Sequence, residues 1–451
     1  MRQRSRGRAT LAAVAAMCAV AALPGQAYGA GSPASYTFDP DAEAVSGAEI
    51  STDAPSLKSG SVYKSSIKVH QKLYYRLNLD AKTNAYVSAV VVPKGGGKVA
   101  YGDGITVSIR DSSDLQCSSQ DARFQSAEYP RPIAAYAYRT VNKDSSSCQG
   151  AGTYNVLIER ESEDTSGPQD WDLELRYASE PQLAKGGSTP TEAPEDWPSA
   201  SPPPPSPATD NRRHGGSSYY DATSLETGEW KDEIAPGQTL FYRVPVDWGQ
   251  QIFATAGLGN STAPDADDYI SGAIAMSLDN PARGHVDAAS PMAYKGEPAV
   301  VSLDPVPPVA YENRFASDSS VSAMRFAGWY YLSVTLSPEV AKPYGSKPFP
   351  LTVSVKVDGK AGATPYAGDA GIFGVTQDDR DLARSGQSGP QAAESRSSNM
   401  KLVGAAGIGA GAVLVLGLGA WVLLARRGAA TAPAGTGDSG QQPFGGPPQA
   451  W

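Results

Sequence analysis

The sequence predicts an all-β protein, two tandem antiparallel β-sandwiches followed by one C-terminal transmembrane helix. Three observations carry this reading. Apolar and polar residues alternate through much of the chain before residue 400, broken by Gly, Pro and Asp, which is the pattern of half-buried strands. Two stretches on either side of a Pro-rich segment repeat the same succession of motifs. A single long uncharged run, 402–425, ends directly in Arg426 and Arg427.

The N-terminus is read first. Arg2, Arg4, Arg6 and Arg8 precede a short apolar run, 11–23, and then the small residues around Ala27-Tyr28-Gly29. A basic start, an apolar middle too short to span and an A-x-A-like cleavage site predict a secretory signal peptide over 1–29. Cys18 lies in that run, but Met17 stands where a lipoprotein signal needs a small residue, so ordinary cleavage is expected. At the other end, a helix over 402–425 would reach roughly 36 Å, enough to cross a bilayer core of about 30 Å. The paired arginines keep the tail, 426–451, in the cytoplasm by the positive-inside rule. The expected location is therefore the cell membrane, single-pass, with everything between the two apolar ends outside.

Two copies of one domain are predicted, over 50–180 and 218–359. The first contains Gly60 and the run from Ile67 to Arg76, with Leu73-Tyr74-Tyr75-Arg76 at its end; the second contains Gly228 and Ile234 to Arg243, with Leu240-Phe241-Tyr242-Arg243. Alternating runs follow, 105–109 and 274–278. Pro132-Ile133-Ala134 is then matched to Pro308-Val309-Ala310, and Ala151-Gly152-Thr153-Tyr154 to Ala327-Gly328-Trp329-Tyr330. Each copy closes on a further alternating strand, 171–175 and 349–355. Within the second copy Leu240, Tyr242, Val244 and Val246 share one face. A sheet with one apolar face must cover it with another sheet, hence one sandwich per copy.

This order of motifs, a Gly turn, an aromatic-Tyr-Arg strand, an alternating strand, Ala-Gly-x-Tyr and a final alternating strand, resembles the bacterial pre-peptidase C-terminal domain. The resemblance implies two tandem jelly-roll-like sandwiches of the kind appended to secreted proteases and surface proteins. Many members carry an acidic pair before the Tyr of the first strong strand. Here those positions hold Leu73-Tyr74 and Leu240-Phe241, and no protease domain accompanies the copies.

Between the copies, 181–217 includes Pro202-Pro203-Pro204-Pro205 and few apolar residues, and predicts a semi-rigid, polyproline-rich spacer. The region 360–400 is rich in Gly, Ala, Ser, Gln and Asp and predicts a flexible stalk of about 35 Å. Removal of the signal leaves Cys117 and Cys148, expected as one disulfide in an oxidising exterior. Closing that loop is worth about 3 kcal/mol through the unfolded chain.

The net charge of −9 argues against nucleic acid as a partner. No cofactor is expected. Of the three histidines, His70, His214 and His285, none stands in a nucleophile-elbow context, and an enzyme is not expected. Gly437-Asp438-Ser439-Gly440 reproduces a serine-protease tetrad in the short tail, without a fold or a histidine around it. Gly95-Gly96-Gly97-Lys98 lacks the phosphate-loop spacing and reads as a hairpin turn between strands 86–92 and 105–109. Asp265, Asp267 and Asp268, near Asn260, form the densest acidic loop, a candidate for a ligand or calcium without EF-hand spacing. Tyr219, Tyr220, Trp230 and Trp248 are candidates for an aromatic platform. Gly407 and Gly411 form G-x-x-x-G in the apolar run and could pair two copies. The expected function is a non-catalytic, membrane-anchored binding or adhesion protein, with cell-wall glycan or another exported protein as partner. The alternative is an anchored accessory subunit of an exported enzyme or secretion apparatus.

Overall fold

Among the described residues nine strands build the first of two sandwiches. They are β1 (Glu43–Ala44), β2 (Val62–Ile67), β3 (Lys72–Leu79), β4 (Ala85–Val92), β5 (Gly104–Arg110), β6 (Gln116–Arg123), β7 (Ile133–Arg139), β8 (Gly152–Glu161) and β9 (Trp171–Ser179). One sheet runs β1-β2-β9-β4-β7 and the other β3-β8-β5-β6. The second sandwich holds β10 (Thr223–Ser224), β11 (Gly228–Ile234), β12 (Thr239–Val246), β13 (Gln251–Leu258), β14 (Ile270–Asp279), β15 (His285–Ala288), β16 (Met292–Tyr294), β17 (Ala299–Ser302), β18 (Gly328–Leu336) and β19 (Phe349–Asp358). Its sheets run β11-β19-β13-β17 and β10-β12-β18-β14-β15, with β16 also pairing β14. These strands come from a computed structural model that describes residues 35–142, 145–184, 192–201, 203, 211–261, 269–397 and 415–424.

The two strand orders correspond: β2-β9-β4-β7 to β11-β19-β13-β17, and β3-β8-β5-β6 to β12-β18-β14-β15. Apart from the β5–β6 and β14–β15–β16 neighbours, the successive strands from β2 to β9 and from β10 to β19 cross between sheets, the connectivity of a jelly roll. Single side chains repeat as well. Tyr75 donates to Ser65 Oγ at 3.1 Å and its counterpart Tyr242 to Asp232 Oδ2 at 2.6 Å. Tyr154 donates to the Gly150 carbonyl and Tyr330 to the Phe326 carbonyl, each at 2.7 Å. The repeat also starts upstream of the expected boundaries at 50 and 218. Gly47 passes over the Tyr75 ring as Gly215 passes over that of Tyr242, so close that a Cβ on Gly215 would lie 2.8 Å from Leu240 Cβ and 2.9 Å from a Tyr242 ring carbon. Gly215→Ala is therefore expected to destabilise by about 1–3 kcal/mol through overpacking, read as a lower midpoint in chemical denaturation.

Two expected pairings are corrected. Pro132-Ile133-Ala134 opens β7 opposite Val91, whereas Pro308-Val309-Ala310 follows β17 and meets the opposite end of the neighbouring strand, with Val309 bonded to Gln250. Gly95-Gly96-Gly97-Lys98 is not a hairpin turn. It carries the chain from one sheet to the other, since β4 pairs with β7 and β9 while β5 pairs with β6 and β8. The disulfide is present: Cys117 on β6 joins Cys148 before β8, with Cα atoms 5.7 Å apart.

The sandwiches are docked on one another, not held apart by a rod. Inward side chains of the first sheet, such as Val87, Ala89, Leu173 and Leu175, fill the first core. The opposite face of the same strands is buried too. Tyr86, Tyr136 and Ala178 join the core of the second sandwich, and Tyr86 meets Phe326 edge-on at 5.0 Å. A smaller apolar cluster combines Val90 and Ala134 with Tyr219, Ala222, Phe241 and Tyr331. Among the described residues two ion pairs cross the junction. Glu174 of β9 pairs with Arg283, and Glu180 accepts from Arg314 at 2.8 Å.

The expected stalk is folded over this junction as far as it is described. Residues 365–367 pair with 182–184 through Ala184 to Pro365 and Ala367 to Gln182 hydrogen bonds. Phe373 packs on Phe326 at 4.5 Å. The helix α1 (Gln377–Ser385) starts on a capping box of Thr376 and Asp379 and stops at Gly386, in the left-handed conformation. Asp379 accepts from Trp329 Nε1 at 2.9 Å and Arg380 reaches Asp247 at 2.6 Å, fixing the helix to the second sandwich. Aromatic anchors and caps, sparse in number, outweigh a composition that reads as coil.

The signal peptide 1–29, the acidic loop Asp265, Asp267 and Asp268, the glycines Gly407 and Gly411 and the tail 426–451 lie outside the described residues. Of the apolar run only 415–424 are described; they are helical and exposed. Among the described residues no helix is long and apolar enough to cross a membrane.

Candidate functional site

Docking of the two sandwiches creates a cleft of about 370 Å³ between them, within the size range of small-ligand sites. Its floor is the outer face of the second sandwich. Ser277 on β14 lies beside Ser333 on β18, and Ala275 beside Thr335. The period of two puts Met276, Leu278, Val334 and Leu336 into the core, which leaves the small and hydroxylated residues facing outward. Thr335 exchanges a hydroxyl hydrogen bond with Thr239 at 2.9 Å. The facing wall comes from the first sandwich: Asp121 and Arg123 at the end of β6, then Gln125, Ser126 and Arg131.

Electrostatics within the cleft centre on Asp279. It is buried, accepts from the Tyr219 hydroxyl at 2.7 Å and stands 3.6 Å from His285 Nδ1. Burial pulls the His285 imidazole down, but its hydrogen bond to Asp279 and the carboxylates of Asp279 and Asp287 outweigh that, and its pKa is raised. Asp287 in turn is pushed up by burial. Ser277 Oγ is 3.5 Å from the same His285 Nδ1. A hydrolytic relay needs the acid on one imidazole nitrogen and the nucleophile on the other. Here both approach Nδ1, so the trio does not have that geometry.

The structure scatters the residues singled out in the sequence. Tyr219, Trp230 and Trp248 are only 5%, 4% and 5% exposed, so they form no aromatic platform; Tyr220 alone is partly open. Trp230 donates to the Glu226 carbonyl and lies under the Arg213 guanidinium, and Trp248 packs on Tyr366. His70 occupies the turn between β2 and β3 with φ of 57°. Among the described residues no group of three or more His, Cys, Asp and Glu side chains could hold a metal. Ser277 and Asp279 were not singled out. Their alternation on β14 is visible in the sequence, but His285 comes beside them only through the β14–β15 pairing.

His214 lies in the expected spacer, yet its Nδ1 meets Asp232 at 2.9 Å, beside the Tyr242 hydroxyl on the same carboxylate. The hydrogen bond to Asp232 is the main cause of its raised pKa. A histidine raised on folding stabilises below its unfolded value of 6.5 and loses that contribution as pH rises through the folded value. The melting-point deficit of His214→Gln should therefore be larger near about pH 5.5 than near about pH 8.5. An equal deficit at both would contradict the pair.

No protein-family model and no curated protein matches the chain. Solved structures match only distantly. The CBM22-1-CBM22-2 tandem of Paenibacillus barcinonensis Xyn10C is 11% identical over 67% of this chain and 92% of that chain, with a TM-score of 0.19. The CUB1-EGF-CUB2 domains of human MASP-1/3 are 6% identical over 66% and 99%, with a TM-score of 0.16. A chain in the complex of the plant peptide RALF23 with FER and LLG2 is 11% identical over 75% and 100%, with a TM-score of 0.22. These neighbours are β-sandwich proteins, and at such scores the likeness carries no argument about function.

Proposed function

We propose that this chain is a non-catalytic, exported binding protein anchored in the cell membrane by 402–425, whose two sandwiches act as one body. Both sandwiches are read as pre-peptidase C-terminal-like modules, the jelly-roll order supporting that reading. The observation that carries the binding role is the cleft between the sandwiches, where a ligand would touch Arg123 and Gln125 on one side and Ser277 and Ser333 on the other. Site formation at a domain junction is a common placement for ligand recognition. The approach of Ser277 and Asp279 to one imidazole nitrogen supports a non-catalytic reading. The uncharged run and its following arginines support the anchor, and the Cys117–Cys148 bridge supports export.

Two measurements test it. Protease added to intact cells should remove the region between residues 35 and 397 and spare the tail. The purified full chain should be retained by sedimented cell wall. Protection of that region from external protease overturns the anchor. A stoichiometric exported partner in crosslinked cells, with no retention on wall, favours the accessory-subunit alternative.

A further inference from the structure

We infer that the cleft between the sandwiches selects a neutral, polyhydroxylated ligand, a short glycan segment. This rests on the binding role proposed above and adds the ligand class. The argument is one of hydrogen-bond accounting. The charged groups of the cleft are already committed within the protein. Arg123 pairs with Asp121 at 3.0 Å and Glu161 at 2.7 Å and also donates to the Gly102 carbonyl. Arg131 donates to the carbonyls of Phe124 and Ala127. Asp279 holds Tyr219 and His285. Of the neutral groups, Thr335 is engaged with Thr239 and Ser277 approaches His285, but others are open. Among the described residues the side chains of Gln125, Ser126, Ser290 and Ser333 make no hydrogen bond, and neither does Nε2 of His285. Arg131 has no carboxylate beside it, but its guanidinium is spent on two backbone carbonyls, so a charged ligand meets few free charged donors or acceptors here, while the free hydroxyls, amide and imidazole can each exchange hydrogen bonds with ligand hydroxyls.

An extended peptide fits less well. Peptides are commonly taken up as an added strand on a free sheet edge. The floor has no such edge at its centre, because Ser277 is paired on both sides, with Ser333 and Ala288, and Ser333 on its far side with Phe241. Recognition here must use side chains. The buried state of Tyr219 also removes aromatic stacking, so affinity in the millimolar range is expected.

Saturation-transfer NMR on the full chain, held in micelles of a detergent without a sugar head, tests the class directly. The probes are chitohexaose and cellohexaose as neutral glycans, hexagalacturonate as an anionic one, and a neutral Ala-Ser-Gly heptapeptide. At least one neutral hexasaccharide should saturate, and Ser333→Leu on the floor and Ser126→Trp on the exposed wall should each weaken it at least tenfold with an unchanged melting point. Should Ser333→Leu fail to fold, Ser126→Trp alone decides. The inference is overturned if neither neutral sugar saturates, if the anionic sugar or the peptide binds more tightly, or if Ser126→Trp binds like the parent. Whole-wall retention together with failure of both neutral sugars would remove the ligand class and leave the binding role standing.

Discussion

Glu180→Leu is expected to destabilise the protein by about 3–5 kcal/mol, among the largest effects of any single substitution. Glu180 is 5% exposed and lies just past the end of β9. Its carboxylate accepts from Asn84 at 2.7 Å, Tyr86 at 2.8 Å, Arg314 at 2.8 Å and Tyr366 at 2.8 Å. These donors come from the first sandwich, the second sandwich and the folded-back C-terminal segment, so one side chain ties three parts together. Burial pushes the Glu180 carboxyl up, but Arg314 and the neutral donors outweigh it and its pKa is lowered. A depressed carboxylate stabilises above its unfolded value and loses that contribution as pH falls through the folded one. Acid should therefore weaken the wild-type junction and leave Glu180→Leu less affected. The cost of the single variant comes mainly from the Arg314 charge left buried without its partner. Glu180→Leu/Arg314→Met should thus recover a large part of the loss. Urea denaturation of the four members of that cycle measures this, and a double variant as unstable as the sum of the singles contradicts it.

Phe373→Ala is expected to cost about 3–5 kcal/mol. Its ring is fully buried, 4.5 Å from Phe326 and 5.9 Å from Tyr86. A residue in a solvated stalk would change stability by a few tenths at most, so the two pictures of residues 361–397 differ by an order of magnitude in this one measurement. Thermal unfolding of the full chain reads it. A variant that also becomes sensitive to limited proteolysis between 361 and 397 would show that the segment is held to the body by this aromatic contact.

The local pattern was legible in the sequence and the long-range docking was not. Alternation is a property of neighbouring residues, so strands such as Thr239–Val246 and Trp171–Ser179 could be read directly. The repeat was visible through Tyr75 and Tyr242 and through Gly152 and Gly328, each required by its local geometry. The second burial of the first sheet was harder to see. On β9 the outward residues are Asp172, Glu174, Arg176 and Ala178, which read as a solvated face, yet Glu174 is buried through its pair with Arg283. A usable signal did exist in β4, Ala85–Val92, where a nearly continuous apolar run indicates a strand covered on both sides. The C-terminal segment likewise carried a start signal at Thr376 and Asp379 and a stop at Gly386, masked by its Gly, Ala and Ser content. The cleft depends on how two distant parts dock, and no short-range pattern encodes that.

The most direct test is the distance between spin labels placed at Lys72 and Lys342, which are 62% and 73% exposed and lie on different sandwiches. Pulsed electron resonance on the full chain should give a single narrow distribution that does not shift with ionic strength, because the junction is apolar and its ion pairs are buried. A broad distribution spreading to long distances would mean that the sandwiches move independently on a spacer, and neither the junction nor its cleft would survive that result.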